Sequence, residues 1–138
     1  MLSVNTYTQE YVDACRARVD KQVAAYRKLA GAATGKAASA ATAFEPVFFN
    51  NMVLVLETSF THRARTIEGK DGNPLNEVRV LSNSMLEHAG VLTAEKAIKL
   101  SAEKSVLQLQ YGDTIELREA DFVALAKAFF AEIERKFV

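Results

Sequence analysis

His62 and His88 are the only imidazoles in the chain, and an imidazole, with a reference pKa of about 6.5, is the side chain best suited to moving a proton near neutral pH. His62 is the catalytic candidate, because it stands in the run Phe60-Thr61-His62-Arg63-Ala64-Arg65 with Lys70 close behind. A proton carrier among cations suits an anionic ligand. The competing reading is structural, since a lone helical histidine is ordinarily a hydrogen-bonded member of the packing. Zinc would require both imidazoles and carboxylates such as Glu57, Glu77 or Asp71. However, no His pair stands at i and i+4, no Glu-x-x-His occurs, and Cys15 alone cannot build a thiolate cluster. Gly69, Gly72 and Gly90 match neither GxGxxG nor GxxxxGK[ST], so no metal, nucleotide or other cofactor is expected.

These residues need elements to hold them. Thr6 and Gln9 are spaced as a capping box ahead of Tyr11, Cys15, Val19, Val23, Tyr26 and Leu29, an apolar stripe at helical spacing. Residues 30–43, rich in Ala with Gly31 and Gly35, read as a flexible linker. Pro46 suits the first turn of a second helix running to Ile67. This helix is apolar on most faces and is the expected hub of the bundle. At 100° per residue Asn51, Thr58, His62 and Arg65 fall within about 60° of one another, forming a polar seam.

Asn73 and Pro74 mark the N-cap and first position of a third helix ending near Gly90, with Asn76, Arg79 and Asn83 on its polar side. Residues 97–100 and 114–117 are expected to pair as a small β-hairpin, with Gly112-Asp113 supplying the turn. In the last helix Phe122, Leu125, Ala126, Phe129, Ile133 and Phe137 keep helical spacing, and Arg135 and Lys136 close it against the dipole. The fold class is therefore mainly α: one domain over residues 1–138, an antiparallel helical bundle with a minor two-stranded hairpin.

Seventeen basic and seventeen acidic residues cancel, which leaves nucleic acid without the usual basic excess. The N-terminus has neither a basic n-region nor an apolar h-region, and the longest apolar run, Met52 to Leu56, is far short of a membrane span. Cytoplasm, with no membrane partner, is the expected setting.

The blocks FFNNMVLVLE, HRARTIEGKDGNPLNEVRVL, SVLQLQYGDTIEL and EADFVALAKAFFAEIE resemble a family of actinobacterial conserved hypothetical proteins over roughly residues 44–137. That resemblance implies a single compact domain in a bacterial cytoplasm and transfers no catalytic role. A looser similarity to HEPN-type helical ribonucleases stops at the catalytic residues. Those proteins place an Arg four to six residues before a His, whereas Arg79 is separated from His88 by eight residues.

The leading expectation is a non-catalytic α-helical interaction or scaffold domain, self-associating as a homodimer through its tethered first helix. The alternative is a small-anion-binding or hydrolytic domain in which Asn51, Thr58, His62 and Arg65 face Asn73, Asn76 and Arg79 across a cleft. A third reading is RNA binding through the patch from Arg63 to Lys70.

Overall fold

The computed structural model describes residues 3–138, which form five helices: α1 (Gln9–Ala32), α2 (Lys36–Ser59), α3 (Arg65–Glu68), α4 (Pro74–Glu87) and α5 (Glu119–Phe137). α1 buries Val12, Cys15, Val19, Val23 and Tyr26 on one stripe against α2 and α5. Its cap is Thr8, whose hydroxyl accepts the Tyr11 N–H at 3.1 Å, and not the Thr6–Gln9 box. Gln9 instead reaches outward to Asp13 and Glu134. α5 behaves as its spacing requires, burying Phe122, Leu125, Ala126, Phe129, Ile133 and Phe137, with Phe130 in addition. α2 contacts α1, α4 and α5, while α5 contacts all four other helices. The centre is thus shared between α2 and α5. Each fully buried Phe or Leu at their junction contributes roughly 1.5–3 kcal/mol over leaving it in water.

The expected linker is helix. Residues up to Ala32 continue α1, only residues 33–35 connect, and α2 begins at Lys36, ten residues before Pro46. Alanine has the highest helix propensity, and that preference outweighs the compositional signature of a flexible segment. Pro46 consequently lies inside α2, where it cannot donate to the carbonyl of Thr42. Arg118 supplies the missing donor: its Nη1 lies 3.0 Å from Thr42 O and 3.1 Å from Glu45 Oε1, and Glu45 also accepts the Glu119 N–H at 2.8 Å. At 24 residues α2 is long and apolar enough to cross a membrane by length and composition. Its inner portion nevertheless buries Phe49, Met52, Val53 and Leu56 in the bundle.

The β-hairpin does not form. Among the described residues the only ladder contacts are two isolated bridges, Val4 with Arg63 and Val91 with Thr114. Residues 97–100 lie instead against the turn before α4, where Lys99 N–H donates to Lys70 O at 2.9 Å. Elsewhere in the 88–118 connection backbone bonds join residues 90–92 to 112–115, and at two further places helix side chains stand in for a partner strand. Asn50 donates to Ile115 O at 2.7 Å and accepts from Leu117 N–H at 3.0 Å. The Glu77 carboxylate accepts the N–H groups of Val106 and Leu107 at 2.8 and 3.0 Å. Extended backbone needs partners every second residue, and an amide or carboxylate can provide them as well as a strand.

Gly72 has φ +87°, and a Cβ there would overlap the Lys99 carbonyl oxygen. Gly72→Ala should therefore lose about 2–4 kcal/mol of stability, combining left-handed strain with displacement of the 97–100 segment. Urea unfolding of the two proteins checks this, and a change under about 0.5 kcal/mol would contradict the close approach.

Candidate functional site

α2 ends at Ser59, and the chain turns through residues 60–64 before the single turn α3. Val4 pins that turn: its N–H donates to His62 O at 2.7 Å and its carbonyl accepts from Ala64 N–H at 2.8 Å. The turn drives Arg63 inward, and neither Arg63 nor Glu68 retains any exposed side-chain area. The Arg63 guanidinium donates to Phe60 O, Leu75 O and Glu57 Oε1 at 2.9–3.1 Å and lies 5.7 Å from the Phe129 ring centre. Its Nε sits 2.8 Å from Glu68 Oε1, close enough for an ion pair but not aligned as a hydrogen bond.

Glu68 is the centre of this cluster. It accepts two bonds from Arg79, at 3.1 and 2.6 Å, and one from Asn76 Nδ2 at 2.8 Å. Its backbone carbonyl accepts from Asn73 and from Lys136 at the end of α5. Glu57 closes the circuit, with Arg79 Nη1 3.6 Å away. Burial by itself would raise the Glu68 carboxyl, but the Arg79 hydrogen bonds, the Arg63 and Arg79 charges and Asn76 outweigh it and hold the group below its ordinary value. Glu77 shows the opposite balance: burial pushes its carboxyl up, and the Leu107 and Val106 N–H groups only partly offset this.

The seven residues expected to share one cleft separate into three places. His62 and Arg65 are exposed and line, with Arg79, a surface pocket of about 400 Å³ bordered also by Ser3, Thr61 and Thr66. Asn73 and Asn76 serve the turn before α4. Asn73 caps the helix by accepting from Leu75 and Asn76 N–H, and Asn76 accepts the Gly72 N–H while bonding Glu68. Asn51 and Thr58 are exposed on α2, and the Asn51 amide donates back to Val47 O. The seam fails because α2 stops before His62, so the 100° phase no longer applies beyond Ser59. The patch from Arg63 to Lys70 also loses a member, since Arg63 is internal. Glu57, Arg63 and Glu68, none of which belonged to the expected seam, form the polar interior. The available signal was the charge density on either side of Ala64 next to Asn76 and Arg79.

Among the described residues no three His, Cys, Asp or Glu side chains gather as a metal site. No family model matches this chain, and neither a curated protein nor a solved structure matches it.

Replacing Glu68 with Gln leaves two buried arginines short of charge and should cost about 3–5 kcal/mol. The pH dependence follows from the two carboxyls. Glu68 sits below its unfolded value, so its stabilising contribution is complete above the unfolded pKa, about 4.5, and is lost as pH falls through the lower folded value. Glu77 sits above its unfolded value, so acidification relieves its cost and works in the other direction. Urea titrations from pH 7 to pH 3 should show the acid loss diminished in Glu68→Gln and steepened in Glu77→Gln. Identical slopes in all three proteins would contradict the assignment.

Proposed function

We propose that this chain is a non-catalytic α-helical interaction domain whose partner-facing element is the outer part of the α1–α2 hairpin. One observation carries the reading: from Arg27 to Phe44 no residue is buried, so this arm stands outside the core that holds the rest of both helices. Along it Leu29 is 61% exposed, Phe44 44% and neighbouring Val47 54%, and Leu29 and Phe44 border an apolar groove with Tyr26 and Phe48. Exposed apolar side chains scattered singly require no explanation, whereas a contiguous set on a projecting element marks a contact surface. Helices draw most of their stability from tertiary packing, and the arm has only an alanine seam, with Ala30, Ala33, Ala38 and Ala41 half-buried between the helices. The buried Glu68 and Glu77 carboxylates are meanwhile committed to structural bonds.

A homodimer is the form of this interaction that we propose, joined by the same arm from each copy in a two-fold contact. Exchange of α1 on a long tether has lost its basis, because the connection is three residues and α1 is fixed to its own chain through Tyr11 Oη on Ser59 O and Arg16 on Glu134. Val19 and Val23 of the apolar stripe are buried against α5, so charging them would unfold the domain instead of separating copies. From Arg27 to Phe44 there are three basic residues and no acid, with Arg27 paired to Glu119, and the remaining positive charge sets a recognisable salt dependence. Two like-charged arms associate better as salt screens them, while an acidic partner would be released. A bacterial cytoplasm, the setting implied by the resemblance of residues 44–137, is part of the same proposal.

Light scattering at about 100 µM protein should give twice the chain mass, more completely at 0.5 M than at 0.05 M salt, on the screening argument above. Leu29→Gln combined with Phe44→Gln, both at exposed sites, should restore the single-chain mass with the circular dichroism spectrum unchanged. A single-chain mass throughout would overturn self-association.

A further inference from the structure

The pocket beside His62 has a composition that neither packing nor the hairpin arm accounts for. Its lining is made of the hydroxyl residues Ser3, Thr61 and Thr66, of His62, and of Arg65 and Arg79, with Arg63 in its wall and no carboxylate residue among the described residues that line it. Arg63 and Arg79 are held from behind by Glu57 and Glu68, so those two cations and two anions cancel while the guanidinium planes stay fixed in position. Arg65 is exposed, and its side chain makes no ion pair or hydrogen bond among the described residues. The result is a concave, donor-rich surface with one uncompensated guanidinium among the described residues, in which Arg63 and Arg79 are oriented before any ligand arrives.

We propose that this pocket binds a phosphate-type oxyanion. Several hydroxyl donors around a fixed guanidinium match a tetrahedral group that offers acceptors in all directions, whereas a planar carboxylate is satisfied by one arginine fork. About 400 Å³ exceeds the needs of the anion alone, which leaves room for a small organic group on the phosphate. Binding is modest, because only Arg65 contributes net charge, and it is independent of the arm.

The test is a nuclear magnetic resonance titration of the full chain with inorganic phosphate at constant pH and ionic strength, using chloride as the matched control and acetate as the planar competitor. Saturable shifts at the amides of residues 61–66 and at Arg79, absent with chloride and weaker with acetate, are expected. Arg65→Gln, at an exposed position, should weaken the phosphate response about tenfold with an unchanged melting temperature. A repeat with glycerol phosphate separates the sources, since tighter binding assigns the spare volume to an organic group and equal binding assigns the site to free phosphate, and either supports the proposal. It is overturned by shifts equal to those in chloride, by acetate binding as tightly as phosphate, or by Arg65→Gln binding unchanged. It is also overturned if single-stranded RNA binds with a steep salt dependence where phosphate does not.

Discussion

Burying a carboxylate is tolerable only when every lone pair finds a partner, and the lower half of this molecule is organised around meeting that condition at Glu68. Its partners come from the turn after α2 (Arg63) and from α4 (Asn76 and Arg79), with Glu57 at the end of α2 balancing the second arginine. Lys136 of α5 holds the backbone of the same residue. Charges taken out of water gain little net stability even when well paired, so what the cluster contributes is uniqueness. Only one relative placement of α2, α3, α4 and α5 brings all these groups to hydrogen-bond distance. The apolar layer above, where Phe60, Phe129 and Phe130 pack on one another and Phe137 packs on Tyr7 at ring separations near 6 Å, supplies burial energy and is less particular about geometry.

The sequence made the helices legible where periodicity and end signals agreed. α5 carries apolar residues at every third or fourth position, acids first and bases last, and α4 opens on Asn73-Pro74, whose cap bonds are present at 2.9 and 3.3 Å. It was less informative wherever composition argued against propensity. The alanine stretch had the glycines of a linker, yet it breaks only at residues 33–35 and is helix on both sides. Pro46 looked like a beginning because the donor that satisfies Thr42 lies 76 residues away in Arg118, a distance no local rule covers.

The polar seam failed for a related reason. A helical wheel holds only while the helix continues, and the break at Ser59 rests on Val4 bonding to residues 62 and 64, a long-range contact. His62, Arg65 and Arg79 do meet, but across a turn and a neighbouring helix. The expected strands failed differently: residues 114–117 meet backbone only at one isolated bridge, through Ile115 N–H on Gly90 O, and beyond it their hydrogen-bond partner is the side chain of Asn50. Asn50 and Glu77 were unremarkable as letters. Their importance comes from being the polar residues that the packing turned toward unpaired backbone.

The stitch between Arg118, Glu45 and Thr42 also has a mechanical consequence. It lies where α2 leaves the body of the molecule, and it ends at the first residues of α5. The free length of the hairpin is therefore cantilevered from a fixed clamp, so a force applied near its tip becomes a torque at the mouth of α5, which touches every other helix. Any load on the arm is thereby passed to the middle of the domain.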